Sequence, residues 1–143
     1  MKDSTQRIWK RDTDLAGLNE RSRNTLVAHL GIEFVAITDD SLTATMPVGT
    51  STQQPLGMLH GGASVVLAET LGSSAANMAL DQNRYCVGLE INANHIRSVR
   101  SGRVTGTARP LHLGKSTQVW DIAIVDEARQ LVCAARLTMA VLS

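Results

Sequence analysis

Glu69 is the one carboxylate in the stretch Gly61 to Ala76, whose other residues are apolar, small or hydroxylated. Such a stretch predicts a helix buried on most of its circumference. An ionised carboxylate left there without a partner costs several kcal/mol or takes up a proton. Its place therefore points to a general base or nucleophile working near neutrality. A structural carboxylate, paired with an arginine or a hydroxyl from another strand, is the other reading these residues leave open. The same stretch opens with His60-Gly61-Gly62. Bare N–H groups at a helix start can donate to a carbonyl oxygen that becomes negative. The blander use of paired glycines is a loop that needs positive φ. Gly61 and Glu69 are eight residues apart, about 12 Å along a helix, too far for both to reach one carbonyl within a chain. Two such helices side by side would set the amide of one subunit against the carboxylate of the other, so the spacing predicts a site that needs an oligomer.

Neighbouring residues complete the candidate set. Helical spacing puts residues 65, 69, 72, 73 and 76 on one face, with Ser73 one turn from Glu69 and with Gly72 and Ala76 keeping that face open. Gln54, in the preceding loop, is able to position a substrate or water, or is simply solvated. His95 ends the apolar face of a strand, where histidines are more often satisfied edge residues than ligands. The segment His112-Leu113-Gly114-Lys115 follows Pro110 and, with Arg97, supplies charge and backbone donors for phosphates, or else an ordinary solvated surface. Asp121 and Glu90 read as outward strand positions without a role.

These residues must be held by a single domain, since 143 residues fill one core but not two ordinary ones. The net charge of +1 and the absence of a basic run argue against a nucleic-acid partner. With four aromatic residues, Trp9, Phe34, Tyr85 and Trp120, the core must be built from Val, Leu, Ile, Ala and Met. Cys86 and Cys133 stand far apart with no Cys/His cluster to hold a metal, and read as reduced, half-buried thiols of a cytoplasmic protein. Residues 1–7 are expected to be a disordered leader, without the apolar stretch of a signal peptide, and 8–143 the domain. Ala63 to Leu80 is too polar for a membrane span and reads as a core helix.

A short amphipathic helix is expected from Asp14 to Arg23. Ile32 to Ala36 and Leu42 to Met46 alternate as a hairpin that Pro47 ends. After the long helix comes a strand with Val87, Leu89, Ile91, Ala93 and His95 on one face and Gly88, Glu90, Asn92, Asn94 and Ile96 on the other. Ser101-Gly102 turns the chain into further strands, roughly Arg103 to Leu111, Gln118 to Val125 and Leu131 to Val141. No crossover helices separate them, so the sheet should be antiparallel with one long helix against it, an α+β fold. One helix cannot cover both faces and edges of such a sheet. Self-association is expected, most simply a two-fold dimer paired through an edge strand such as the one carrying Ile91.

The segment Gln54-Pro55-Leu56-Gly57-Met58-Leu59-His60-Gly61-Gly62-Ala63-Ser64, followed by Ala68-Glu69-Thr70, resembles the helix-start motif of hotdog-fold thioesterases of the 4-hydroxybenzoyl-CoA thioesterase and PaaI-like group. The similarity runs from Ile8 through Leu142. Gly88 to His95 and Pro110 to Gly114 are most similar to the branch acting on 1,4-dihydroxy-2-naphthoyl-CoA in menaquinone synthesis, with the branch that proofreads aryl carrier proteins nearly as similar.

The resemblance implies an antiparallel sheet wrapped around one long central helix and metal-independent, cofactor-free hydrolysis of an acyl-CoA, or of an acyl carrier protein thioester. It implies Glu69 as general base or nucleophile, the Gly61 N–H of the facing subunit as carbonyl donor, Gln54 and His60 near that carbonyl, and Ser73 as a positioning group for water or substrate. Family CoA contacts fall on Gly88, on His95, Ile96, Arg97 and Ser98, and on His112, Leu113, Gly114, Lys115, Ser116 and Thr117. Family members are commonly homotetramers, dimers of dimers. Two features depart from the family: the stretch before Ile8 is longer, and Lys115-Ser116-Thr117 differs from the usual loop. A non-catalytic acyl-CoA binder and a dehydratase on the same fold are the readings from other classes.

Overall fold

Helix α3, Gly61–Met78, is the axis of the molecule, and a six-stranded antiparallel sheet curls around one side of it. The computed structural model describes residues 6–143, so most of the leader expected over 1–7 lies outside the described residues. Two short helices come first, α1 over Leu15–Arg21 and α2 over Leu26–His29. Asp14 caps α1 by accepting from the Gly17 N–H at 2.8 Å. Helix α2 is too short to show periodicity and was not foreseen. The strands are β1 (Glu33–Ile37), β2 (Leu42–Pro47), β3 (Tyr85–His95), β4 (Arg103–Leu113), β5 (Thr117–Val125) and β6 (Leu131–Leu142). They lie in the order β1-β2-β4-β5-β6-β3, every pair antiparallel. Strand β3, which follows α3 in the chain, thus lands on the sheet edge beyond β6.

The core fills the space between α3 and the sheet. Leu67, Leu71 and Ala75 of the helix are fully buried against Val104, Ile122, Ile124, Leu137 and Met139. Gly72 lets the helix come close: a Cβ there would stand 2.5 Å from Leu137 Cδ2. The expectation that Gly72 and Ala76 share the open face with Glu69 is therefore wrong, because both pack inward. The helix is buried on about half its circumference rather than most of it. Val65, Val66, Glu69, Thr70, Ser73 and Ser74 are left partly or wholly uncovered. The far end of the core is closed by the stacked rings of Trp9 and Trp120, 6.2 Å apart and 8° from parallel. Buried Gln118 accepts from the Trp120 indole N–H at 2.8 Å.

The alternation expected along β3 is also broken. Gly88 pairs with Met139 and Glu90 with Thr138, so Leu89 is an extra residue, a β-bulge. Cys86 and Gly88 face inward before the bulge, and Ile91, Ala93 and His95 after it. Val87 and Leu89 are displaced to the exposed side. The outer edge of β3 has no strand partner among the described residues and carries Tyr85, Val87 and Leu89 exposed. No helix among the described residues is long and apolar enough to cross a membrane.

Candidate active site

The loop before α3 is fixed by its own backbone and by one arginine. The Gln54 N–H donates to Met58 O at 2.8 Å, the His60 N–H to Thr52 O at 2.8 Å and the Leu59 N–H to Val99 O at 2.7 Å. The Arg100 guanidinium donates to Leu56 O at 3.2 Å, and Arg100 O accepts from Gln53 Nε2. Gln54 Oε1 accepts from the N–H groups of Leu56 and Met58. Two backbone donors facing one atom identify it as the oxygen, so the Gln54 amide NH2 is the end left for another molecule.

His60 is the N-cap of α3, and its Nδ1 accepts from the Gly62 N–H at 2.8 Å. That bond leaves Nε2 to carry the ring proton of the neutral form. His60 O takes the N–H groups of Ala63 and Ser64. Among the described residues the Gly61 N–H alone in this first turn has no acceptor. Neither glycine is at positive φ. Each is small for want of room: a Cβ on Gly61 would stand 2.9 Å from His95 Nε2, and one on Gly62 would stand 3.0 Å from the His60 ring.

In front of Gly61 opens a cleft of about 370 Å³, which Gln54, Gly61, His95, Ile96, Arg97 and Ser98 line together. Six residues nominated from sequence thus meet in one place. The segment after β3 is bent into the cleft because the Ile96 and Arg97 N–H groups both donate to Val132 O. Among the described residues Arg97 is the one arginine or lysine in its wall and no carboxylate lines it, so the cleft suits an anion or a polar carbonyl. Sequence reasoning missed Ser64 and Val132 in this wall and Arg100 behind it. Ser64 lies one turn from His60 and could have been found by helical spacing, whereas Val132 comes from a strand whose pairing no local pattern reveals.

Glu69 and Ser73 are not in this cleft. Glu69 is two turns further along α3 and exposed, which corrects the expectation of a carboxylate in a dry, apolar place. It lies at the seam with β3, its Oε2 directed at Gly88, the residue expected to touch CoA. Among the described residues of this chain no cation pairs with it. Ser73 lines a second cleft of about 450 Å³ between α3 and the α1–α2 segment.

The expected CoA contacts divide as well. His112 to Thr117 form the β4–β5 turn beside the start of β3, where Arg84 reaches Lys115 O and the Val141 N–H donates to Ser116 O. His95 to Ser98 leave the other end of β3. Ten residues of strand, about 33 Å, separate them, so one chain does not gather both sets around one ligand. Among the described residues no group of three or more His, Cys, Asp or Glu is placed to hold a metal ion. Both cysteines are free and buried. Burial raises each thiol above its ordinary pKa, and the nearby Arg11 and Arg84 partly offset this at Cys86.

Comparison with known proteins agrees with this geometry. Residues 56–133 match the family described as the thioesterase superfamily. The chain is 54% identical to the 1,4-dihydroxy-2-naphthoyl-CoA hydrolase of Escherichia coli, over 94% of this chain and 99% of that one. It is 52% identical to the proofreading thioesterase EntH of Cronobacter turicensis, over 94% and 98%. A solved thioesterase of Haemophilus influenzae superposes with a TM-score of 0.94 at 50% identity, covering 95% of both chains. By fold, by the loop that opens its central helix and by these kinships, the chain belongs to the thioesterase superfamily and is a hotdog-fold thioester hydrolase.

Proposed function

We propose that this enzyme hydrolyses aromatic acyl-CoA thioesters, of the 1,4-dihydroxy-2-naphthoyl or benzoyl kind, to the free acid and CoA. The observation that carries the reading is the pairing, on one half-covered helix, of a free Gly61 N–H with an exposed Glu69 too distant to share its substrate within a chain. In a two-fold dimer with the uncovered faces of α3 in contact, each Glu69 meets the partner's copy of the Gly61 amide. A thioester carbonyl held there accepts hydrogen bonds from Gly61 N–H and the Gln54 amide, with His60 and Ser73 alongside.

With Glu69 as base, the carboxylate takes a proton from water as the hydroxyl adds to the carbonyl carbon. The C–S bond then breaks, and the CoA thiolate receives the proton. With Glu69 as nucleophile, its oxygen displaces the thiolate to form a mixed anhydride, which water splits into acid and carboxylate. CoA contacts at His95 to Ser98 and at His112 to Thr117 then belong to different subunits, as in a dimer of dimers. Buried free thiols suit a cytoplasmic enzyme.

The E. coli relative's name supports the CoA substrate. The Cronobacter relative's name supports a second reading, in which the acyl group arrives on a carrier protein. Thiol release from benzoyl-CoA, dihydroxynaphthoyl-CoA and a benzoylated aryl carrier protein, compared as kcat/KM, decides between them. Glu69→Gln should lower kcat on the preferred substrate by about 10²-fold or more. Turnover of the folded variant at the wild-type rate would overturn the role of Glu69.

A further inference from the structure

The cleft of about 450 Å³ that begins at Ser73 has a composition that the thioesterase reading does not require. Its floor is apolar, made by Leu18, Val27, Phe34 and Met78. Among the described residues its walls carry two arginines, six neutral hydrogen-bonding side chains and no carboxylate. Most of those polar groups are already committed. The Arg11 guanidinium is taken up by the carbonyls of Leu80, Asp81 and Arg84. Asn77 donates to Ser73 O and accepts from the Cys86 N–H. The Ser22 hydroxyl donates to Leu18 O, and that of Thr25 donates to Ser22 O.

Arg21 is different. It stands on the last turn of α1 and, although it also borders a neighbouring cleft that carries Asp12, Asp14 and Glu20, makes neither an ion pair nor a hydrogen bond among the described residues. Its neighbour Arg23, by contrast, is paired with Glu20 at 3.1 Å and does not line the cleft. The Ser73 and Ser74 hydroxyls likewise form no hydrogen bond among the described residues. Among the described residues the cleft thus offers one uncommitted cation and three uncommitted hydroxyls, those of Thr13, Ser73 and Ser74, above an apolar floor.

Position along α3 says what would meet them. Ser73 and Asn77 lie one and two turns beyond Glu69, about 6 and 12 Å, the reach of one substituted aromatic ring or a fused pair whose thioester carbon sits at Glu69. We infer that this cleft receives the acyl group and that Arg21 selects acyl thioesters bearing an anionic substituent, a carboxylate above all, at the end remote from the thioester. The ring lies on Leu18, Phe34 and Met78, and the guanidinium offers its planar fork of donors to the carboxylate. This inference rests on the proposed thioesterase reading and adds a substrate class to it.

The test compares kcat/KM for 4-carboxybenzoyl-CoA and 4-methylbenzoyl-CoA, two thioesters alike in length and ring, in the wild type, Arg21→Met and Arg23→Met. The wild type is expected to favour the carboxylate. Arg21→Met should lower the ratio of the two at least tenfold, chiefly through KM for the carboxylate, and Arg23→Met should leave the ratio as it is. If both thioesters are hydrolysed and the ratio is the same in Arg21→Met as in the wild type, the assignment of Arg21 is overturned while the thioesterase reading stands. If neither thioester is cleaved but a carrier-protein thioester is, the CoA reading fails instead. Melting temperature and circular dichroism of Arg21→Met guard against a folding artefact, and Arg21→Lys, which keeps the charge, should recover part of the ratio.

Discussion

The carboxylate of Glu69 fills the space above Gly88: its Oε2 stands 2.8 Å from the point a Cβ on that glycine would occupy. The contact exists because the bulge at Leu89 turns Gly88 inward on the strand next to α3. It makes the glycine a determinant of where the carboxylate points.

Under the proposed role of Glu69, Gly88→Ala should therefore act on catalysis and spare the fold. The obstructing atom is the far end of a flexible side chain, so Glu69 swings aside instead of the strand breaking. A displacement near 1 Å of a reacting group can cost about 10²-fold in rate. The loss should appear in kcat, with KM for the acyl-CoA and the melting temperature little changed. A large fall in melting temperature with wild-type kcat per folded molecule would refute this.

At the other end of the helix start, Gly61→Ala would put its methyl 2.9 Å from His95 Nε2. The Gly61 amide, proposed above as the donor to the carbonyl, is retained, so the damage comes from the ring. His95→Ala in the same chain removes the obstruction. The double variant should regain activity relative to Gly61→Ala, a coupling of about 0.5–3 kcal/mol in a mutant cycle. Simple additivity of the two changes would show that the His95 contact is irrelevant.

Gln54→Glu separates holding the loop from donating to substrate. A carboxylate can still accept from the Leu56 and Met58 N–H groups, as Gln54 Oε1 does. What disappears is the free amide donor, and losing one such donor costs about 10²–10³-fold in kcat. Stability should hold, and unchanged kcat would exclude Gln54 from the carbonyl site.

The buried thiols give a pH dependence of known sign. Burial raises the pKa of Cys133, and burial less the effect of Arg11 and Arg84 raises that of Cys86. Unfolded thiols ionise first, near pH 8.5 by the ordinary value for cysteine, so above that pH the unfolded chain holds fewer protons than the folded one. The stability these groups contribute is complete below the unfolded thiol pKa and is lost as pH rises through the folded values. Denaturant midpoints measured from pH 7 to 10 should fall more steeply for the wild type than for Cys86→Ala/Cys133→Ala. At pH 8 a thiol reagent should label neither cysteine until the protein is unfolded.

Much of this site could be read from residue order, and the unread part has a common cause. Gln54, Gly61 and His95 to Ser98 lie in segments whose local chemistry is explicit, a Gly-Gly helix start and a strand end, and they meet in one cleft. The surroundings of Glu69 were misjudged because small apolar residues do not say which side of a helix a sheet will cover. Gly72 looked like an opening and proved to be a contact surface for Leu137. The alternation along β3 was misjudged because a bulge is a property of a pair of strands, and its partner residues on β6, Thr138 and Met139, lie about fifty positions later in the chain. The contrast between Arg21 and Arg23 was equally hidden, since it depends on which of them finds Glu20.

One consequence of the separation between Gly61 and Glu69 concerns dilution. Under the proposed dimeric site, an isolated chain holds a donor and a carboxylate that never serve the same molecule, so a monomer is silent however well it folds. Rate per chain then rises with concentration until the pairs are complete. The gene's expression level would set specific activity as well as total activity.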